Sequence, residues 1–253
     1  MATPLKDIVN FTGQYLSIAK VKDYCPNGLQ VEGSAEVAKI VGGVTASQAL
    51  IDQAIKQKAN AVLVHHGYFW KGENPVVTGI KRRRLKSLLE NDMSLLAYHL
   101  PLDMHPEIGN NAQLAKKLGF EVTGPLEPLA SNSIGLVGKL PYAMTARELQ
   151  ALISEKLVRP CQHIGNGDEK IETIAWCTGA AQGMIEQTCV LGVDAYLSGE
   201  ISEPTVHIAR ETGIHYFSAG HHATERDGVR ALGQLLANKF EVEFEFIDID
   251  NPV

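Results

Sequence analysis

The chain has 253 residues, 45% of them hydrophobic and 21% charged, with a formal net charge of −6. This is enough apolar material for one large α/β domain or two ordinary lobes, which excludes a disordered chain, and the acidic balance argues against a protein held to DNA by neutralising phosphates. No apolar run approaches the roughly 18 residues of a membrane span, and the first residues lack the basic and apolar regions of a secretory signal.

Apolar positions at Leu5, Ile8, Val9, Phe11, Leu16 and Ile18 make a helical stripe over residues 4–18. Turn chemistry from Tyr24 to Gly28 leads into a short strand, Leu29–Val31. Lys39–Val44 reads as a strand, Ser47–Lys58 as a helix, and Ala61–Val64 as a buried strand ending at His65-His66-Gly67. That order is the mark of a parallel sheet with a crossover helix. The same pattern returns later. Lys39–Gly67 aligns without gaps on Thr173–Ile201, placing Gln48 on Gln182 (182 − 48 = 134) and Asn60-Ala61 on Asp194-Ala195. A looser match sets His99-x-x-x-Asp103 beside His221-x-x-x-Glu225, and an insertion at Tyr68–Arg84 accounts for its smaller offset. The expectation is an α/β protein of two pseudo-equivalent lobes facing each other across a cleft, residues 1–123 and 124–253. Residues 124–172 are expected to bridge the lobes, with one helix from about Thr145 to Leu157 opened by the capping-box pattern Thr145-x-x-Glu148.

Cys25, Cys161, Cys177 and Cys189 are scattered, with no CxxC pair, and read as reduced thiols of a cytoplasmic protein. Any metal is therefore to be sought among His, Asp and Glu. Neighbours within a strand point to opposite faces. At the carboxyl end of a parallel strand, with Gly67 allowing a turn, His65 and His66 can each serve a different ion, in the crevice where open α/β sheets bind ligands. Taken alone, the pair fits one packed and one exposed histidine better. Glu225 falls on the same side as His221 if a helix opens there, since Arg226–Phe240 carries a stripe at Val229, Leu232, Leu235 and Leu236. The plainer reading is a carboxylate at the positive end of that helix, worth about 0.3–1 kcal/mol. Pro101 is expected to keep His99 and Asp103 from forming a helical pair. Whether His99 touches metal stays open. A place behind the ligands, orienting one or moving protons, is at least as well supported. Four histidines and two carboxylates, without thiolate, suit Zn, Mn, Fe or Ni. The expected ligands of two divalent ions are His65, His66, Asp103, His221 and Glu225, with Glu225 as a bridge and positions left for water.

Four separated stretches carry a resemblance: Pro26–Gly33 (PNGLQVEG), VHHGYFWKG at 64–72, HLPLD…GNN at 99–111, and AGHHATER at 219–226. In that order, over essentially the whole chain, they resemble the GTP cyclohydrolase I type 2 homologues, also called interacting-factor-three-like proteins. The resemblance implies two divalent metals between two like α/β lobes, a toroidal homohexamer, and ligand positions at His65, His66, Asp103, His221 and Glu225. Some relatives carry a large mid-chain insert, for which residues 124–172 are too few. The implied activity is a di-metal-dependent hydrolase that opens the purine ring of GTP with metal-activated water, with His99 as the catalytic proton carrier. The alternatives are a metal-binding regulatory or interaction protein without turnover, and a two-metal phosphoesterase acting on nucleotides or nucleic acid. The implied partner is a nucleotide-like small molecule, with no membrane role and nucleic acid left open. The basic run Lys81–Lys86 reads first as a solvated helix face, with phosphate contact as the lesser reading. Phe69 and Trp70 read as core packing ahead of base stacking. His105, His163, His207 and His215 read as surface or packed residues.

Overall fold

The computed structural model describes residues 2–130 and 133–253. They form two compact units: Met1–Ile108 with Gly228–Asp250, and Gly109–Asp227 with Asn251–Val253. The strand Glu121–Pro125 runs straight through 123/124, where the sequence suggested a lobe boundary. By packing, the chain enters the second unit at Gly109 and returns to the first at Gly228.

The first unit is built on a five-stranded sheet in the order Glu243–Phe246, Lys39–Thr45, Ala61–His66, Ser94–Ala97, Gly28–Val31. The first four strands are parallel and the last is antiparallel to its neighbour. Parallel strands are covered on both faces and so read as continuous apolar runs, as Ala61-Val62-Leu63-Val64 does. One face places Ile40, Leu63 and Leu96 against the helices Leu5–Tyr15 and Arg226–Phe240, which contribute Leu5, Ile8, Val229, Leu232 and Leu236. The other face turns Val41, Val62 and Leu95 toward Leu50, Ile51 and Ala54 of the helix Gln48–Lys56. Ser47 caps that helix by accepting from Leu50 N–H. The helix Gly79–Glu90 buries Leu88 alone. Of its basic run Arg82, Arg83 and Lys86 are exposed, with Lys86 paired to Glu90 at 3.2 Å, whereas Lys81 is mostly covered and paired to Glu73 at 2.8 Å, and Arg84 lies over the Tyr68 ring.

The second unit has a six-stranded sheet in the order Glu121–Pro125, Leu136–Thr145, Lys170–Cys177, Ala195–Ser198, His215–Ser218, Gln162–Ile164. Residues 124–172 are therefore not a bridge, because their strands belong to this sheet. The expected helix is present as Ala146–Leu157. Thr145 Oγ1 accepts from Glu148 N–H while Glu148 Oε2 accepts from Thr145 N–H, satisfying two helix-end donors at once. Leu149, Ile153 and Leu157 pack on Ile174, Trp176 and Phe217.

The two units share an internal plan. Ile40 pairs with Ala61 in the first, and Ile174 pairs with Ala195 in the second, the same register displaced by 134 positions. Asn60 Oδ1 accepts from the N–H groups of Ala38 and Lys39, and Asp194 Oδ2 accepts from those of Glu172 and Thr173. Each of these side chains holds a strand at an aligned position, the start of Lys39–Thr45 in one unit and the interior of Lys170–Cys177 in the other. The third strand follows at a different offset: Ala61 pairs with Ser94 and Ala195 with His215 (215 − 94 = 121). By that register His99 matches Gly220, one residue before His221. The motif match at the third strand is thus out of step by one.

A pH effect arises in the second sheet. His163 lies flat on Phe217, with ring centroids 4.7 Å apart, and its Nε2 is 3.1 Å from His215 Nδ1. Nε2 of His215 stands 3.0 Å from Glu169 Oε2. Burial, and next the neighbouring His215, pull the pKa of His163 down to about 4. An unfolded histidine takes its proton near pH 6.5, roughly, whereas the folded one waits until about 4. Stability is therefore full above that upper value, falls as pH drops through the window, and levels off below it. The slope is at most about 1.4 kcal/mol per pH unit, and smaller because His163 is only half-buried. Urea denaturation at pH 7 and pH 5 is expected to show this loss in the native protein and a smaller one in His163→Gln. Equal losses would assign the effect to other groups.

Candidate functional site

Three imidazoles of the first unit gather where its parallel strands end. His65 and His66 lie inside the Ala61–His66 strand, and His99 precedes a short helix, Leu100–Asp103. Their ring centroids are 4.7 Å apart for His65 and His66, 5.0 Å for His65 and His99, and 5.8 Å for His66 and His99. One ring nitrogen from each lies within 4.8 Å of the others. The strand includes both histidines, so Gly67 does not serve a turn at that point. It serves close approach, since a Cβ there would meet Gln30 Oε1 at 2.2 Å and Ala97 Cβ at 2.6 Å.

His65 is fully buried, with Nδ1 2.9 Å from the carbonyl oxygen of Tyr98. A carbonyl only accepts, so Nδ1 carries a proton and, in the neutral ring, Nε2 is the acceptor nitrogen. Asp103 Oδ1 stands 3.4 Å from that nitrogen, on a side chain that is also buried. Contrary to the sequence expectation, His99 and Asp103 do form a helical turn, because Asp103 N–H donates to His99 C=O at 3.1 Å. Pro101 sits in the first turn, where its missing N–H has no partner to lose.

His99 is held by a residue the sequence did not single out. Its Nδ1 is 2.8 Å from Asp23 Oδ1, and Asp23 Oδ2 accepts from Asn27 Nδ2 at 2.8 Å and Leu100 N–H at 2.9 Å. Burial alone would raise the Asp23 pKa, but the hydrogen bonds from His99, Asn27 and Tyr24 N–H outweigh it and bring it down to about 2. An ionised carboxylate only accepts, so His99 donates from Nδ1. The indole of Trp70 stands edge-on to His99 at 4.9 Å and is half-buried, while Phe69 is exposed. The expected core packing of these two rings is not found. The chain leaves the strand here with Phe69 at φ 65°; Trp70 borders the imidazole cluster, while Phe69 packs against Tyr68 and Lys81.

In the second unit, Gly220, at φ 98°, turns the chain into the short helix His221–Thr224, and Glu225 separates it from Arg226–Phe240. His221 Nδ1 is 2.7 Å from Glu200 Oε1, and Nε2 is 3.1 Å from Oε2 of the buried Glu225. Burial would lower the His221 pKa, but the bonds to Glu225 and then Glu200 raise it to about 9. Carboxylates on both sides of this imidazole favour its protonated form. Gly179 makes room, since a Cβ there would come within 2.1 Å of Glu225 Oε1. His222, which the sequence did not place among the ligands, donates its N–H to Val253 C=O at 2.9 Å.

One pattern runs through both units. His65, His99 and His221 each have Nδ1 tied to an oxygen acceptor, and Nε2 of His65 and of His221 faces a carboxylate. Imidazoles that bind metal are held this way, and donors confined to nitrogen and carboxylate oxygen suit a divalent transition ion. The sequence matches the family described as Duf34/NIF3 (NGG1p interacting factor 3) over residues 3–252. The chain belongs to the DUF34/NIF3 family. A relative from Pseudomonas aeruginosa, named GTP cyclohydrolase 1 type 2 homolog, is 58% identical over 252 residues, covering 100% of both chains. The solved structure of protein ybgI, described as of unknown function, superposes with a TM-score of 0.95 at 50% identity, covering 99% of this chain and 100% of that one. TTHA1606 from Thermus thermophilus gives a TM-score of 0.89 at 29% identity, with 99% and 100% covered. The α/β architecture with two similar lobes is thus the fold of this DUF34/NIF3 member and of its structural relatives. Among the described residues no helix is long and apolar enough to cross a membrane.

Sequence reasoning missed Asp23 and Glu200. Asp23 lies 76 positions from His99 and leaves no local signal. Glu200 did leave one. In the ungapped alignment it falls opposite His66, the single place where that duplicate puts an acid against a candidate ligand.

Proposed function

We propose that this chain is a di-metal-dependent hydrolase acting on a nucleotide, with His65, His66, Asp103, His221 and Glu225 as the metal ligands. The reading rests on two imidazole–carboxylate pairs, His65 Nε2 with Asp103, both buried, and Nε2 of the partly exposed His221 with the buried Glu225. Nitrogen and carboxylate oxygen donors that meet in this way suit a divalent ion, which would take the place of the proton that His221 otherwise carries. A divalent ion would supply Lewis acidity and activate water near neutral pH. His99 takes up and returns the proton at Nε2, and Asp23 holds the ring by its bond to Nδ1. The relative's name, GTP cyclohydrolase 1 type 2 homolog, supports purine ring opening as the reaction class. A homohexameric assembly belongs to the same proposal and is checked by the mass in solution.

The test is metal content followed by turnover. Protein reconstituted separately with zinc, manganese, iron and nickel is expected to hold close to two ions per chain. It is then screened with nucleotides for ring opening and for phosphate release. Ring opening supports the proposal, phosphate release alone makes the protein a two-metal phosphoesterase, and turnover of neither makes it a binding protein. Protein that holds no metal sinks the reading.

A further inference from the structure

We propose that Glu200 is the positioning residue of His221, the group that fixes this imidazole with Nε2 offered to the metal. The inference rests on the metal-ligand reading of His221. Its geometry stands inside the second unit alone. Glu200 follows directly on the Ala195–Ser198 strand and Gly199, and its carbonyl accepts from the hydroxyl of Tyr216, so its backbone is anchored. Its Oε1 accepts from His221 Nδ1 at 2.7 Å, and its Oε2 is 3.5 Å from Gln182 Nε2.

The shared plan of the two units explains why an acid stands here. Adding the offset of 134 to His65 and His66 gives Gly199 and Glu200. The first unit uses these two strand positions for imidazoles. The second cannot repeat that, because a side chain at 199 would run into the Cα and N of His221 at 2.7 and 2.9 Å. The imidazole comes instead from the loop after the next strand, and a loop residue needs something to hold its ring. Glu200 does so, as Asp23 does for His99 after the corresponding strand of the first unit. Both histidines sit just beyond equivalent strands, and both have Nδ1 bound to a carboxylate.

Positioning differs from ligation in what glutamine can replace. An amide oxygen still accepts from Nδ1–H, whereas it is a poor metal ligand and carries no charge. Zinc affinity is to be measured by competition with a chromophoric chelator for the native chain, Glu200→Ala and Glu200→Gln, with melting temperatures of the metal-free proteins. Glu200→Ala is expected to bind zinc about 10–100-fold more weakly, the usual effect of losing such a partner. Glu200→Gln is expected to stay within a few-fold of native, and the metal-free variants to melt with the native chain. Native affinity in Glu200→Ala, with zinc bound normally by the native chain, overturns this inference and leaves the proposed function intact. Equal losses in both variants also overturn it, by making the charge or direct ligation the cause. A native chain that takes up no zinc overturns both.

Discussion

Changing Glu225 to glutamine is expected to lower both metals' occupancy together and to cut hydrolysis by orders of magnitude. The carboxylate is buried, faces His221 Nε2 at 3.1 Å, and is proposed to be shared by two ions. An amide of the same shape keeps the packing and loses the charge. If Glu225 merely favoured the start of the Arg226–Phe240 helix, the same change would cost less than about 1 kcal/mol and leave the metal in place. Elemental analysis with a melting curve separates the two, and full metal content in this variant means the bridge is misassigned. His99→Asn is the companion: it is expected to keep its metal while losing turnover, since His99 is proposed to move protons and not to bind the ions.

The second large effect is expected from Gly199→Ala. A Cβ at this position would stand 2.6 Å from Gly179 C=O and 2.7 Å from His221 Cα, closer than real Cβ atoms come. Every one of these neighbours is backbone, so no side chain can swing aside. Gly199 N–H also donates to Gly179 C=O, and Gly220 N–H donates to Gly199 C=O, so the loops on both sides are tied to it. The loop bearing His221 has to move. Overpacking of this kind costs about 1–3 kcal/mol, and at roughly 2–4 °C per kcal/mol the melting temperature should drop by several degrees. Metal held through His221 and Glu225 should be lost with it. Gly183→Ala is the control, because a Cβ there meets nothing within 4 Å. A Gly199→Ala protein that melts and binds metal as Gly183→Ala does would show that the loop yields easily.

These sites were unequally legible from sequence. The Lys39–Gly67 and Thr173–Ile201 match foretold a shared strand register, because a buried parallel strand and its crossover helix fix spacing locally. Ligand candidates at His65, His66, His221 and Glu225 were visible because they cluster at strand ends and helix starts. Asp103 was visible too, but its helical turn was missed by treating Pro101 as a breaker instead of a first-turn residue. Residues 124–172 looked like a bridge because their Gly and Pro content suggests a loop, whereas long-range pairing makes strands of them. Asp23 and Glu200 escaped because tertiary contact alone brings each to its histidine, and no periodicity records such a contact.

The edge strand Glu243–Phe246, which closes the first sheet against Lys39–Thr45, carries a consequence for the order of synthesis. Roughly two hundred residues leave the ribosome between these partners, which at about 5–20 residues per second is some ~10–40 s. During that interval the whole of Gly109–Asp227 emerges, so the second unit has all but its last three residues while the first still lacks an edge. The sheet that begins first is completed last. Throughout the wait Lys39–Thr45 presents open backbone donors and acceptors next to the Ala61–His66 strand, as a ready template for pairing with another chain. A nascent chain stalled before residue 243 is therefore the form of this protein most exposed to aggregation and most in need of a chaperone.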